Sequence, residues 1–496
     1  MESQPCIERN RSQSLNHLNL IQTQQHDDIE EIKKLSNFRQ IRDAFIANAA
    51  VIHPGLMFSF SAVALPQLQA LNSPIPITIE EASWIASVAS FATPPGCLLG
   101  GVLMERFGRR AALLILSLPC VLGWLLLAAS GLLVPPDFAL PVIYFARVLQ
   151  GLGTGIVAGT SRVYTSEIST PELRGSLCSL ASLGVSTGVL LGYTLGAMFT
   201  WPFMALFSAL VPLTSVTLAF IYLPETPTWL LQNRTLDEAR KALVKLRDPT
   251  ASGRVINKEL SILGGDVSTE KLSKMQVLSD LSTLKPLLLV MFYFFSYQFS
   301  GISVLTFYNV TITEQTGAGL NGYISAVVFG VIRWCCTLVG CFILHHYDRR
   351  NLTLFSGVCS GLAMLGLGSH NYLYQEMNIN IWKYFPIACV CSFYVTYSLG
   401  YLLIPWVLLG EIFPAKVRGF LGGMSACFSH VFLFSAVKSF PFLMENLHFY
   451  GAFWFYGSIA SIGSVILFIL LPETRNRTLL DIEGFFKPKK ILTSSI

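Results

Sequence analysis

The chain is short of charge. Only 13% of its 496 residues are Asp, Glu, Lys or Arg, against roughly 25% in an average soluble domain. Hydrophobic residues make up 52% of it, and the mean hydropathy is +0.56. A soluble core of this length does not hide that much apolar surface, so a water-soluble globular protein is excluded. Other absences narrow the field. Of 11 cysteines, all but Cys6 fall inside apolar runs, and none, Cys335, Cys336 and Cys341 included, shows metal-ligand spacing, so no metal site or disulfide framework is expected. No nucleotide-binding glycine loop is present. Gly151-Leu-Gly-Thr-Gly155 comes nearest, but no strand precedes it, and small residues so spaced on a membrane helix serve close helix packing. No nucleophile–base set is found either. The chain therefore reads as no enzyme, with no catalytic residues, no cofactor and no nucleic-acid partner. Residues 1–43 are polar and mixed in charge and lack a basic-then-apolar leader with a cleavage site, which predicts a cytosolic tail.

Long apolar runs fill the rest. Six fall near 44–71, 84–104, 111–134, 139–163, 176–199 and 203–223, and six more near 286–311, 320–344, 352–369, 386–409, 420–441 and 450–471. Each approaches the length of helix that crosses about 30 Å of hydrocarbon. The two groups are copies. Ser166-Glu-Ile-Ser-Thr-Pro-Glu-Leu-Arg-Gly175 returns as Gly410-Glu-Ile-Phe-Pro-Ala-Lys-Val-Arg-Gly419, with Glu167 and Glu411 separated by 244 positions (411 − 167). Glu105-Arg-Phe-Gly-Arg-Arg110 returns as His345-His-Tyr-Asp-Arg-Arg350, and Leu223-Pro-Glu-Thr226 as Leu471-Pro-Glu-Thr474. Three paired motifs in one order mean a duplicated half. The expected architecture is an all-α polytopic membrane protein: twelve transmembrane helices in two pseudo-repeated six-helix bundles, 44–223 and 286–471. A cytosolic segment, 224–285, joins them, and 472–496 forms a second cytosolic tail.

Basic residues orient it. With the amino terminus inside, Arg106, Arg109, Arg110, Arg174, Arg349, Arg350, Lys416, Arg418, Arg475, Arg477 and Lys487 all fall inside. The opposite loops, 72–83, 135–138, 312–319, 370–385 and 442–449, hold one basic residue, Lys383. That is the positive-inside asymmetry, and it predicts two cytosolic termini. In the central segment, Leu236, Leu243 and Leu246 share one face of a helical pattern with charges on the other, predicting an amphipathic helix beneath the bundle that latches the halves.

The motifs taken together resemble those of the sugar porters, a branch of the major facilitator superfamily. They are Gly100-Gly-Val-Leu-Met-Glu-Arg-Phe-Gly-Arg-Arg110, Arg147-Val-Leu-Gln-Gly151, Tyr164-Thr-Ser-Glu-Ile168, Leu223-Pro-Glu-Thr-Pro227, Gln298-Phe-Ser-Gly-Ile302, Pro405-Trp406, Gly410-Glu-Ile-Phe-Pro414 and Pro472-Glu-Thr474. The stretches Val437-Lys-Ser-Phe440 and Gly451-Ala-Phe-Trp454 are most similar to insect facilitated trehalose transporters. The resemblance runs from about 39 to 486. It implies the major facilitator fold, multi-pass insertion in the plasma membrane among lipids, a monomer sufficient for activity, and a sugar as substrate, with trehalose or a hexose as candidates. It also implies an inner gate in which charges at the cytosolic ends hold the halves together when the transporter is open outward. The residues concerned are Glu105, Arg109, Arg110, Glu167 and Arg174 in one half, and Arg349, Arg350, Glu411 and Arg418 in the other. The second copy departs at His345 and Asp348.

The transport site is expected at the bilayer midplane between the halves, on helices broken by Gly and Pro. Gln298 supplies a donor and an acceptor for sugar hydroxyls, Gly301 lets the seventh span bend, and Trp406 after Pro405 offers a stacking face. Where the family's pattern has amides, this chain has Tyr297, Ser303, Ser182 in the fifth span, Ser429 in the eleventh and Arg333 in the eighth. An Arg at mid-span costs about 2.5–3.5 kcal/mol on insertion scales, so Arg333 is expected to face the cavity, where it suits vicinal hydroxyls or an anionic solute. No predicted span has an interior carboxylate. A membrane proton relay uses Asp, Glu or His, which leaves only His53 and His430. Facilitated diffusion is the favoured reading, with an anionic or other polar solute as one alternative and a non-transporting sugar sensor as another.

Overall fold

In hydrocarbon every backbone N–H and C=O must find its partner within the segment, which leaves the helix as the form for these runs. The structure, a computed structural model, describes residues 37–115, 117–247, 256–257, 259–261, 263, 281–316, 319–377, 382–414, 417–475, 477 and 479–486. The side chains of 171, 172, 281, 282, 345, 418, 479–481 and 483 stand outside that description. No strand occurs among the described residues. The first six spans are Asn37–Leu68, Ile79–Phe107, Arg109–Leu132, Pro136–Ile168, Pro171–Met198 and Trp201–Tyr222. The seventh is in pieces, Leu281–Gln298, Ile302–Phe307 and Asn309–Gln315. The eighth is Gly322–His346 and the ninth Arg349–Glu376; the tenth is Phe385–Leu399 with Ile404–Glu411. The last two run through Arg418–Leu470, divided at His448 (φ 58°, ψ 176°) into 418–447 and 449–470. The expected count of twelve is met. The predicted tail runs to 43, and its last residues, from Asn37 on, are helical where the description begins. There Gln40 is buried and its side chain accepts the backbone N–H of Thr170, tying this end to the start of the fifth span.

Within the first half, small residues set the helix spacing. A Cβ added at Gly151 would stand 2.0 Å from the Ala89 carbonyl oxygen, and one at Gly155 would stand 2.2 Å from that of Thr93. Only glycine lets the second and fourth spans come this close. Arg147, fully buried, ties the same region together. It donates to the carbonyls of Met57 (3.1 Å), Ile85 (3.1 Å) and Ala86 (3.5 Å), to Ser61 Oγ (2.9 Å) and to Gln150 Oε1 (2.9 Å). Five acceptors for five donors leave nothing unspent in the hydrocarbon-depth interior.

The basic loops define one side of the bundle, and the halves meet mainly away from it. Lys438 of the eleventh span donates to Ser83 Oγ of the second and lies 4.1 Å over the Trp84 ring. Phe434 packs on Trp84 and Phe91. Tyr193 donates to the Thr306 carbonyl (2.9 Å), Trp334 to Thr187 (3.0 Å), and Phe58 packs on Phe307. Nearer the basic side the second and eleventh spans part: Gly101, Gly419, Gly422 and Gly423 have nothing within 4 Å of an added Cβ.

The amphipathic helix forms as Leu236–Leu246, capped by Thr235, which accepts the N–H of Glu238. Two expectations for it change. Leu236 is 64% exposed, and the buried stripe is Ala239, Ala242, Leu243 and Leu246. Leu246 joins the cluster of Ala44, Ala47, Tyr164 and Ile168, and the next residue, Arg247, donates to the Ile168 carbonyl (2.8 Å). Among the described residues the helix packs on the first half, the nearest apolar surface to the short connection that leads into it, and on the central segment itself, with no packing cluster shared with the second half. Asn309 is buried, with its amide donating to Tyr394 Oη.

The seventh span breaks at Gly301, which has φ +98°, and where a Cβ would meet Met364 Cε at 2.6 Å. Gly301→Ala is expected to lose about 1–3 kcal/mol from the left-handed backbone alone. Thermal unfolding of the purified protein in detergent reads this out; adding Met364→Ala should relieve the clash but not the backbone cost. An unshifted midpoint in Gly301→Ala would show that the break does not need glycine.

Candidate transport site

The break in the seventh span and that in the tenth face each other across the bundle. In the tenth span the chain turns through 400–403, with the N–H groups of Leu403 and Ile404 both on the Gly400 carbonyl. Pro405 then opens the next helix, where its missing N–H costs no intrahelical bond. These interruptions border a cavity of about 80 Å³ that opens to solvent. Tyr297, Gln298, Ser303, Arg333, Trp406 and Ser182 all line it. Ser429 does not: it lies behind Gln298, whose Nε2 donates to its Oγ at 3.1 Å. Ser303 donates to Gln298 Oε1 at 2.7 Å. Held at both ends, the Gln298 amide is set before any solute arrives.

Three further lining residues belong to no motif: Thr306, Arg162 and His430. The Arg162 guanidinium, from the fourth span, sits 4.1 Å over the Trp406 ring of the tenth and so joins the two halves by a cation–π contact. A basic residue inside an apolar run was the available signal. The run is predicted to end at 163, however, and the helix continues to Ile168, about five residues or ~7.5 Å further. That buries a residue that reads as interfacial. His430 accepts no such reading, since it stands well inside the eleventh span. Its Nδ1 lies 2.8 Å from the Ala426 carbonyl, so Nδ1 carries the proton and Nε2 is an acceptor. His53 does not line the cavity. Its Nδ1 accepts the Trp124 indole N–H (2.9 Å) while Nε2 faces the Gln150 carbonyl (3.3 Å). Only the neutral Nε2–H tautomer satisfies both, and a second proton would set N–H against N–H.

At the basic side the duplication recurs residue for residue. Arg109 Nε and Nη2 donate to Glu167 Oε1 (3.0 and 2.8 Å), and Arg349 Nη2 donates to Glu411 Oε1 (3.2 Å). Arg109 also reaches the Met104 carbonyl, and Arg349 that of Leu344. Arg110 donates to the Phe220 carbonyl, and Arg350 to that of Phe468, each guanidinium over the same phenyl ring. Two carboxylates complete the sets. Glu225 accepts the backbone N–H groups of Arg109 (2.8 Å) and Arg110 (3.1 Å), and Glu473 those of Arg349 (3.2 Å) and Arg350 (3.1 Å). They are the acids of the Pro-Glu-Thr echoes, whose recurrence alone marked them. The expected inner gate joins charges of opposite halves, and no such pair forms among the described residues in this arrangement. Arg174 and Glu105 are exposed and make no ion pair to a described residue, and the side chain of Arg418 lies outside the described set. Asp348 pairs with Arg475 (3.6 Å), on its own side of the molecule. Every ion pair among these described residues stays within one half.

The family model for "Sugar (and other) transporter" matches residues 45–486. The chain belongs to the sugar transporter family. A facilitated trehalose transporter Tret1 of Apis mellifera ligustica is 28% identical over 98% of this chain and 97% of that protein. One of Drosophila grimshawi is 30% identical over 90% of this chain but only 47% of its own greater length. Among solved structures, the E. coli xylose transporter XylE in a partially occluded inward-open conformation superposes with a TM-score of 0.74 at 19% identity. That match covers 88% of this chain and 98% of the other. The proton:xylose symporter XylE bound to 6-bromo-6-deoxy-D-glucose gives 0.73 at 20%, covering 90% and 99%. At this identity the likeness concerns the fold, which is that of the major facilitator superfamily. This member of the sugar transporter family is a multi-pass membrane transporter and not an enzyme.

The Glu225 and Glu473 carboxylates cap the third and ninth spans. Glu225→Ala leaves the backbone N–H groups of Arg109, Arg110 and Thr226 without this acceptor and is expected to cost about 1 kcal/mol, with Glu225→Gln recovering most of it. The same pair of changes at Glu473 should behave alike. Denaturation midpoints of the four variants test the equivalence; full stability in both alanine variants would discard the capping role.

Proposed function

We propose that this protein moves a sugar down its gradient by alternating access, with Tyr297, Gln298, Ser303, Ser182 and Trp406 meeting the solute and Ser429 positioning Gln298. One observation carries the reading. Five of these side chains, Ser429 excepted, come from both halves to line one cavity that mixes amide, hydroxyl and indole groups and contains no carboxylate among its described lining residues. Gln298 and the serines suit ring hydroxyls, and the apolar wall of Trp406 and Phe307 suits the C–H face of a pyranose. The relatives named as facilitated trehalose transporters favour a sugar, with trehalose or a hexose the first to try. The wide parting of the second and eleventh spans at the basic side, with close packing opposite, corresponds to a state open toward the basic side. By the positive-inside asymmetry that side is cytosolic, as are both termini, and the plasma membrane is the favoured location. A single chain holds the whole cavity, so a monomer is sufficient.

In this reading the outward-open state brings the basic ends together, and Arg174 and Arg418 gain carboxylate partners from the Glu167 and Glu411 sets across the interface. The inner gate would then consist of Glu105, Arg109, Arg110, Glu167 and Arg174 against Arg349, Arg350, Glu411 and Arg418. Arg174→Ala removes nothing from the present arrangement and weakens the other, so it should shift the population toward the inward-open form by up to about fivefold, for an exposed pair worth no more than about 1 kcal/mol. Maleimide labelling of a cysteine placed at Gly423 measures the shift, and an unchanged labelling rate counts against the network.

Transport itself is tested with purified protein in liposomes and a panel of labelled sugars that includes trehalose and glucose. Uptake should equilibrate without accumulating, and collapsing a proton gradient should leave the initial rate as it was. Uphill accumulation driven by inward protons would overturn the uniport reading and direct attention to His430.

A further inference from the structure

Three arginines lie deep in the spans, and their surroundings sort them. Arg147 spends all its donors on five acceptors and borders no cavity. Arg162 has one hydrogen bond, to the Ala158 carbonyl at 3.3 Å, and its cation–π contact with Trp406. Arg333 also has one, from Nη1 to Thr306 Oγ1 at 3.1 Å; it is only 4% exposed, and its Nε has no partner. Both line the same cavity, Arg162 from the first half and Arg333 from the second, and no Asp or Glu is among the described residues that line it. The nearest described ion pairs, those of Arg109 and Arg349, close on their own carboxylates at the basic side and leave none for the interior.

Two permanent charges in a low-dielectric interior without a counter-ion are costly. A neutral polyol offers oxygen acceptors to the free N–H groups but no compensating charge. We infer that the preferred solute is an anionic sugar, a polyhydroxylated ring that bears a carboxylate or a phosphate. This deepens the proposed function and rests on it, since the ring hydroxyls still need Gln298, Ser303 and the Nε2 acceptor of His430. The anionic oxygens dock on Arg333, whose fork is oriented by Thr306 and has its remaining donors free; paired N–H donors on a carboxylate or phosphate are the strong use of a guanidinium. Arg162 adds positive potential from the other half while covering the Trp406 face. A solute stacking there must displace it, so its release couples loading to the separation or approach of the halves.

The test uses the full chain in liposomes and four labelled probes: glucose, trehalose, glucuronate and glucose 6-phosphate. At least one anionic probe is expected to exchange at about tenfold lower half-saturation than glucose, the scale of a hydrogen bond to a charged group. Because net negative charge crosses, its initial uptake should rise with an inside-positive potential set by a potassium gradient and valinomycin. Which anionic probe is carried separates carboxylate from phosphate. Arg333→Gln should lower the ratio of anionic to neutral transport by about tenfold or more, and Arg162→Gln should lower it in the same direction. The potential dependence is measured on the unaltered protein, so the inference stands or falls even where a variant does not fold. Exchange of glucose or trehalose with exclusion of both anions overturns the inference and leaves the sugar-transport reading intact. Exchange of none of the four overturns both.

Discussion

A charge or hydrogen-bonding group carried into hydrocarbon must bring or find its partner, and most of this molecule can be understood as the ways it does so. Backbone groups are closed within helices. Where helices break, at 299–301 and 400–403, Gln298, Ile302 and Leu402 at the breaks line a cavity. Arg147 meets the demand completely and is a structural clamp on the first, second and fourth spans. Arg162 and Arg333 do not, and the same rule turns that shortfall into a statement about what enters the cavity. Neither the helix packing nor the site chemistry needs a separate principle.

Duplication is the second organising fact. Each half ends its third-span equivalent with the same arrangement: an arginine on a carboxylate, its neighbour on a carbonyl and a phenyl ring, and a second carboxylate under the two backbone N–H groups. Such sets tie the ends of several helices of each half to one point. The interface between the halves packs on one side and parts on the other. The cavity sits where they touch, so any group that spans it, as Arg162 does against Trp406, senses their relative position.

The amphipathic helix at Leu236–Leu246 shows how proximity decides a docking surface. Its apolar stripe predicts burial correctly, but the stripe carries no address. With a short connection from the sixth span, the nearest apolar surface belongs to the first half, and Leu246 settles beside Ala44 and Ile168. Its most apolar-looking member, Leu236, remains outside, since it occupies the first position after the cap, where the helix has not yet reached the bundle.

The sequence alone determined the class of molecule, the count of twelve spans, their grouping by six and the side on which the basic ends lie. These follow from composition and period, which are local properties summed over long runs. The resemblance to the sugar porters also singled out six of the residues that line the cavity: Gln298 and Trp406 from its motifs, and Tyr297, Ser303, Ser182 and Arg333 where its pattern has amides. Tertiary structure decided the rest. Which carboxylate an arginine meets depends on helix ends brought together from far apart in the chain, so Glu167 meets Arg109 within its own half, and Glu225 and Glu473 become caps. Ser429 falls behind Gln298 rather than beside it through a packing offset that spacing does not encode. Arg162 enters the cavity because its helix runs on past the apolar run, carried by contacts with the neighbouring spans. Periodicity specifies faces and depths to within a turn; a hydrogen bond is decided within a few tenths of an ångström, and only the packed whole sets that.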